Sequence, residues 1–310
     1  MHILVATDFS PRSHRAVRRA GVLAGRDGAK VLLMHVVDGE RSQEVARDLR
    51  EAQRMLIEQI AVVPELRGVS CEPLVVGGHP PDAILEAAED HAVDLVVAGA
   101  PPIGGARHSG RRTVRGLIRK APCLVLFVRQ PAAGPYRRVT VPVDFSQASA
   151  RALRAVASFK PLESVRITVM HAFEALGKPR LAGSGIAREQ IESYVESWRS
   201  SFAEDVETFL ESDGLADRDW ARRVEEGPAG KVILDHAARV PSELLVMGTH
   251  ARTGIRKAIL GSVTEDVLVA GATDVLVVPP TRSGSDPQAH PLMDDPVPRA
   301  ERPALRVVGV

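Results

Sequence analysis

The sequence has little cysteine and almost no net charge, and both shortages exclude classes of protein. Two cysteines, Cys71 and Cys123, occur in 310 residues, and two thiols cannot form the disulfide framework of a small secreted protein. Each stands alone within an apolar run, so we interpret both as structural residues. The formal net charge of +1 gives no long-range field that would attract nucleic acid or an anionic membrane.

Long apolar runs are also missing. No stretch approaches the roughly 18 consecutive apolar residues that a membrane-spanning helix needs. The N-terminal residues lack a basic region followed by an apolar segment and a cleavage site, and residues 2–7 have the composition of a strand. These absences predict a cytoplasmic protein that makes no contact with a membrane.

An internal repeat divides the chain into two copies. Four segments of the first half recur in the second: 2–20 at 138–156, 32–37 at 168–173, 78–99 at 227–248 and 121–128 at 272–279. The offset rises from 136 to 149 residues between the second and third matches. The second copy has therefore gained 13 residues, which we assign to the Gly/Pro-rich loop 177–185.

Within each copy, apolar runs typical of strands alternate with amphipathic stretches typical of helices. This alternation predicts right-handed crossovers and a parallel sheet with helices on both faces. We expect an α/β protein of two tandem, doubly wound, Rossmann-like domains, each with five parallel strands in the order 3-2-1-4-5. The domains are predicted at 1–130 and 136–280, joined by the Pro/Gly-rich linker 129–136. The Pro-rich segment 281–310 is predicted to be a disordered tail.

Three segments of the second copy are expected to meet at the carboxyl ends of the strands, where ligands bind in a doubly wound sheet. They are VPVDFS at 141–146, VMHAF at 169–173 and LLVMGTHARTGIRKAILGSVTE at 244–265. This set resembles the universal stress protein family, and the resemblance extends over about residues 1–280. It implies that the two copies pair through their last strands.

The ATP-binding members of that family carry Gly-x2-Gly-x9-Gly-Ser/Thr after the fourth strand. Here Gly248 occupies the first position and Gly261 and Ser262 the last, whereas Ala251 replaces the middle glycine. The resemblance implies ATP, alone or with Mg²⁺, as the ligand. The extra methyl group of Ala251 predicts weaker binding than a glycine would allow.

The residue types of this motif suit phosphate groups. Gly248 lets the backbone approach a ligand closely. Gly261 and Ser262 open a helix whose free N–H groups and dipole favour an anion. Hydroxyl and cationic side chains add donors nearby: Ser262, Thr264, Arg252, Arg256 and Lys257. The alternative is an ordinary loop between a strand and a helix.

The resemblance also implies a pocket for the adenine and ribose. Four residues at the strand ends are predicted to form it: Pro142, Val143, Asp144 and Ala172. Met247 and Val263 are also predicted to bind the nucleotide. The alternative for Asp144 is that its carboxylate caps the helix that begins beside Ser146. Two histidines that follow apolar runs, His35 and His171, are interpreted as structural because no ligand-like cluster accompanies them.

The first copy departs from the motif. Four of its residues define a possible degenerate site: Asp8, Val36, Gly99 and Gly110. Pro102 stands where a glycine would and cannot donate an N–H group, and Arg111 replaces Ser262. We therefore expect little ATP binding in this copy. The basic stretch 107–120 lacks aromatic residues for base stacking, which favours a solvated helix face over a nucleic-acid site.

Three functions are compatible with these patterns. The sequence favours a regulatory protein that binds ATP and acts through partner proteins, which it does not identify. The alternatives are an interaction module that binds no nucleotide and a slow ATP hydrolase. Efficient catalysis is disfavoured because neither a P-loop nor a nucleophile elbow is present. Whether the chain also forms a homodimer is left open.

Overall fold

The computed structural model shows alternating strands and helices in both copies. It describes residues 1–38, 43–103, 109–184, 186–240, 242–251, 258–259 and 262–280. The predicted disordered tail at 281–310 lies outside the described residues. Within the described ranges, no helix is both long and apolar enough to cross a membrane.

The first copy begins with a strand whose apolar residues are buried on both faces. Its strands are β1 His2–Ala6, β2 Lys30–Val37, β3 Cys71–Gly77, β4 Leu95–Gly99 and β5 Leu124–Val128. Its helices are α1 Pro11–Asp27, α2 Gln43–Val62, α3 Pro80–Asp90 and α4 Ser109–Lys120, with a 3-10 turn at Pro64–Leu66. Helix α1 begins after Ser10, whose hydroxyl group accepts a hydrogen bond from the Ser13 N–H group at 3.3 Å.

The second copy repeats this order and adds a helix and a short hairpin. Its strands are β6 Arg138–Val143, β7 Arg166–Phe173, β8 Ala221–Glu226, β9 Leu244–Gly248, the hairpin β10 His250–Ala251 and β11 Ala258–Ile259, and β12 Asp274–Val278. Its helices are α5 Gln147–Ser158, α6 Lys178–Gly183, α7 Arg188–Ser212, α8 Ala229–Arg239 and α9 Ser262–Ala270, with a 3-10 turn at Lys160–Leu162.

The prediction of a loop at 177–185 was wrong for most of that segment, which forms helix α6. Gly177 turns the chain with a φ of 92°, and Pro179 is the second residue of the helix, where its missing N–H group costs nothing. The Tyr194 hydroxyl group of α7 donates a hydrogen bond to the Leu176 carbonyl group at 2.6 Å. This contact fastens the inserted segment to the longer helix that follows it.

Ten strands form one sheet in the order β3-β2-β1-β4-β5-β12-β9-β6-β7-β8. Neighbouring strands within each copy are parallel, and the predicted order 3-2-1-4-5 is confirmed in both. The copies meet at β5 and β12, which pair antiparallel with Val125 opposite Val277 and Phe127 opposite Val275. The predicted pairing through the last strands is therefore present within the chain.

A hydrophobic core covers each face of the sheet and runs through both copies. On one face, α1 and α2 join α5 and α7 through residues that include Leu23 and Phe209. On the other face, α3 and α4 join α8 and α9 through residues that include Leu117 and Leu268. Because helices cover the strands on both sides, the sequences of central strands such as β4, β5 and β9 are almost continuously apolar. The edge strand β8 is mostly polar.

A buried polar network, which we call the Asp274 network, ties the linker to both copies. Asp274 at the start of β12 has no exposed surface. Its carboxylate accepts hydrogen bonds from the Tyr136 hydroxyl group at 2.6 Å and from the backbone N–H groups of Arg129 and Gln130 at 2.7 and 2.8 Å. The Arg19 guanidinium group of α1 lies 3.6 Å from the same carboxylate. The negative charge is therefore matched by a buried cation and fixed donors.

Candidate functional site

The same tight turn follows the first strand of each copy. In the second copy, Asp144 accepts hydrogen bonds from the Ser146 N–H group at 3.2 Å and from its hydroxyl group at 2.5 Å. Ser146 in turn accepts from the Ser149 N–H group at 3.3 Å and is the N-cap of α5. The alternative in which Asp144 itself caps the helix was wrong. Ser146 is the capping residue, and Asp144 accepts the hydrogen bonds that stabilise the turn before it.

The residue between the aspartate and the serine has an unusual backbone. Phe9 and Phe145 have φ values of 58° and 61°, which residues other than glycine rarely adopt. Each phenyl ring packs on a histidine of the neighbouring strand, with centroids 4.5 Å apart for His35 and 4.4 Å for His171. These ring contacts offset the backbone strain and hold the turn in place.

Each of the two histidines forms a hydrogen bond with the backbone at the end of the first strand of its copy. His171 Nδ1 lies 2.9 Å from the Val143 carbonyl oxygen, and His35 Nδ1 lies 2.8 Å from that of Thr7. A carbonyl oxygen only accepts, so Nδ1 is the protonated nitrogen of each ring. Burial lowers the pKa of His171 below its usual value, although the hydrogen bond to Val143 favours the charged form.

A cavity of about 220 Å³ lies at the carboxyl ends of β6, β7 and β9. Thirteen of the described residues line it: Pro142, Val143, Asp144, Ala148, Ser149, Met170, Ala172, Ala229, Ile233, Met247, Gly248, Val263 and Thr264. Asp144 is the one ionisable member of this described lining. The cavity is therefore an apolar chamber with a carboxylate and two hydroxyl groups on its wall, which we call the second cavity.

Most of the predicted site residues converge on the second cavity. Eight line it: Pro142, Val143, Asp144, Ala172, Met247, Gly248, Val263 and Thr264. Ser262 is the first residue of α9, and Ala251 lies in hairpin strand β10. Arg252 and Gly261 lie outside the described residues, as do Arg256 and Lys257.

Sequence reasoning missed five residues of the lining. Ala148 and Ser149 come from the first turn of α5, Met170 from β7, and Ala229 and Ile233 from the first turns of α8. A signal for one of them was available, since the repeat aligns Ile233 with Ile84. Both isoleucines line a cavity in their own copy.

The packing of the fold itself requires a glycine at position 248. A Cβ atom at this position would lie 1.9 Å from the Ala148 carbonyl oxygen and 2.4 Å from its carbon. The glycine therefore allows the first turn of α5 to pack against the end of β9. Gly248 also borders the second cavity.

The first copy has a cavity of about 230 Å³ at the equivalent place, which we call the first cavity. Its lining includes three of the four predicted residues, Asp8, Val36 and Gly99, and the fourth, Gly110, lies within α4. Four ionisable side chains border it: Asp8, Arg12, His35 and Asp38. Burial favours the neutral form of Asp8, but hydrogen bonds from Ser10 and Ser13 outweigh it and lower the pKa of the carboxyl group.

Among the described residues, no group of three or more histidine, cysteine, aspartate or glutamate side chains is arranged to hold a metal ion. The polar groups that face the second cavity are suited to hydrogen bonding. Asp144 is an acceptor, and Ser149 and Thr264 carry hydroxyl groups that donate or accept.

The family is defined by the sequence as well as by this geometry. The profile of the universal stress protein family matches residues 1–129 and again residues 135–279. The chain therefore belongs to the universal stress protein family and contains two copies of its domain. Both copies have the mostly parallel, Rossmann-like sheet described above.

Relatives match either the whole tandem chain or one copy. A universal stress protein of Mycolicibacterium smegmatis is 27% identical over 295 residues, which cover 90% of this chain and 97% of that protein. A universal stress protein of Thermus aquaticus is 35% identical over 138 residues, which cover 41% of this chain and 97% of that protein. The crystal structure of a universal stress protein from Archaeoglobus fulgidus shares the fold with a TM-score of 0.64 at 19% identity, covering 91% of this chain and 98% of that one.

Proposed function

We propose that the protein binds ATP in the second cavity and acts in the cytoplasm as a stress-response regulator through partner proteins. The observation that supports this most directly is the convergence of separate segments on one chamber. Asp144, Ala172, Gly248 and Thr264 come from four different elements of the second copy and border the same space. These positions are those that the family resemblance assigns to an adenine nucleotide.

The lining suits the base and the sugar. Apolar side chains such as Met170 and Ile233 can pack against an adenine ring, and the Asp144 carboxylate can accept hydrogen bonds from ribose hydroxyl groups. A cleft for a complete drug-sized ligand has about 300–1,000 Å³, so the chamber of about 220 Å³ accommodates only part of ATP. We assign the adenosine moiety to it.

The phosphate groups are assigned to the start of α9. The first N–H groups of this helix have no partner within the helix, and its dipole favours negative charge at that end. Thr264 in the first turn borders the second cavity, and Ser262 begins the helix. Gly261 and Arg252 are proposed to complete the phosphate site. Mg²⁺, if bound, would be held mainly by the phosphate oxygens.

A matched pair of variants tests this site. Asp144→Asn removes the charge that accepts from the ribose but keeps an oxygen for the turn, and Asp8→Asn makes the same change beside the first cavity. In calorimetric titration with ATP we expect about one site per chain for the parent. Asp144→Asn should weaken ATP binding about tenfold, as expected for one charge-assisted hydrogen bond, whereas Asp8→Asn should change it less than about twofold.

Other outcomes would reject parts of the proposal. Two equivalent sites per chain would show that the first cavity also binds ATP. Equal weakening by both aspartate variants would mean that the turn, and not the second cavity, controls binding. If folded Gly261→Val binds ATP as well as the parent does, the start of α9 is not the phosphate site. A parent chain that binds no adenine nucleotide would favour an interaction module.

A further inference from the structure

Helix α9, which borders the second cavity, depends on its surroundings for its position. It has nine residues, Ser262–Ala270, and four of them are β-branched: Val263, Thr264, Val267 and Val269. Such residues lose rotamer freedom in a helix, and a helix of this length is not stable alone in water. The groups that contact α9 therefore decide where its first turn lies.

One of these contacts comes from the first copy. Arg129 follows β5, and its guanidinium group donates a hydrogen bond to the Leu268 carbonyl oxygen at 2.7 Å. Leu268 lies in the last turn of α9, where carbonyl groups lack partners within the helix. A positive charge at this end also interacts favourably with the helix dipole. Arg129 thus satisfies and orients the C-terminal end of α9.

Arg129 is itself held on both sides of its backbone. Its N–H group donates to Asp274 at 2.7 Å within the Asp274 network. Its carbonyl oxygen accepts from the Arg15 guanidinium group of α1 at 3.1 Å. The backbone of Arg129 is therefore fixed. Its side chain restricts the movement of the short helix that it contacts.

We propose that Arg129 is a positioning residue for the start of α9, to which the phosphate groups are assigned, because it holds the helix that Ser262 begins. Leu268 and Thr264 are four residues apart, about 6 Å along the helix axis. A displacement at the carbonyl group that Arg129 binds therefore passes directly to the first turn of α9. The role of this position in ATP affinity depends on the proposed function, whereas the restraint of α9 does not.

A second contact holds α9 near its other end. Arg115 of α4 forms an ion pair with Glu265 in the first turn of α9. Their side chains are 59% and 37% exposed, so water screens this pair and its contribution is small. Arg129 has no cationic counterpart in the second copy, because the repeat aligns it with Pro280. At this position, therefore, the first copy supplies an arginine that contacts a helix of the second copy, and the second copy supplies no equivalent arginine to the first.

The test uses the full chain with three variants. Arg129→Ala removes the contact, Arg129→Lys keeps the charge, and Arg188→Ala is a control because that side chain is 91% exposed and pairs within α7. We expect Arg129→Ala to weaken ATP binding about fivefold or more and adenosine binding, measured by competition, less than about twofold. Arg129→Lys should recover part of the loss, and the control should equal the parent.

Hydrogen exchange of the ligand-free chains provides the second readout. Arg129→Ala should speed amide exchange in α9 and leave α8, which borders the same cavity, unchanged. Equal losses of ATP and adenosine affinity, unchanged ATP affinity, or unchanged exchange in α9 would each overturn the positioning role. A parent chain that binds neither ligand would refute the proposed function alone, and exchange in α9 would still decide the role of Arg129.

Discussion

The two copies keep the same strand-end turn and differ where a phosphate group would lie. Asp8 and Asp144 each precede a phenylalanine with positive φ and a serine that begins a helix. After the fourth strand, however, α9 begins at Ser262, whereas the equivalent position in α4 is Arg111. The turn shared by both copies shapes the end of the first strand, and the residues that differ between the copies are the candidates for phosphate recognition.

The volumes of the two cavities are almost equal, about 230 and 220 Å³, so volume does not distinguish the copies. Their linings differ in charge: Arg12 borders the first cavity at the position where Ala148 borders the second. A cavity at a strand end is therefore a property of the fold. The groups on its wall decide whether an adenine nucleotide fits.

The largest expected effect concerns the joint between the copies. Asp274→Ala should lower the free energy of unfolding by about 3–5 kcal/mol, because it leaves the Arg19 charge buried without its counter-ion. The repeat places Cys123 at the equivalent position of the first copy, and Cys123→Ala should cost about 1 kcal/mol. Equilibrium denaturation in urea measures both values. Similar losses for the two variants would show that the Asp274 network contributes nothing specific.

The next effect compares two glycines at equivalent strand ends. A Cβ atom at Gly248 would lie 1.9 Å from a backbone oxygen, whereas at Gly99 the nearest atom would be 3.0 Å away. Gly248→Ala should therefore destabilise the chain by about 3 kcal/mol and Gly99→Ala by about 1 kcal/mol. Thermal unfolding followed by circular dichroism provides the comparison. A larger loss for Gly99→Ala would contradict the packing argument.

The smallest expected effect is a dependence of stability on pH. The pKa of His171 is lowered by burial, so between its folded value and about 6.5 the unfolded chain binds more protons than the native chain. Stability should therefore fall as the pH falls below about 6.5. His171→Gln should reduce this dependence when the free energy of unfolding is compared at about pH 7.5 and 5.5.

The control for this measurement is His35→Gln, the same change in the first copy. Burial also lowers the pKa of His236, so part of the pH dependence should persist in His171→Gln. An unchanged slope in His171→Gln would show that its neutral form is not required for folding.

The architecture could be predicted because two regular patterns in the sequence indicate it. Apolar runs alternate with helical patterns, and the repeat supplies each element twice, so the parallel sheet and its strand order followed. The residues of the cavity wall, Met247 and Val263 among them, were predicted from the family resemblance. Such residues lie at fixed points of a repeating fold, next to strand ends or helix starts.

The features that were missed depend on long-range contacts. Asp274 interrupts an apolar run, and nothing in its local sequence indicates that its partner Tyr136 lies 138 residues earlier in the chain. Gly248 was predicted to be a glycine that a ligand requires, because its contact with Ala148 is visible only in three dimensions. Helix α6 has six residues, too few to produce a periodic pattern.

The antiparallel joint of β5 and β12 has a geometric consequence for the two cavities. All parallel strands of the first copy run in one direction and those of the second copy in the opposite direction, so their carboxyl ends lie on opposite edges of the ten-stranded sheet. The first and second cavities therefore open away from each other. A partner protein that covers one opening leaves the other accessible to small molecules, and one chain can present two separate surfaces at the same time.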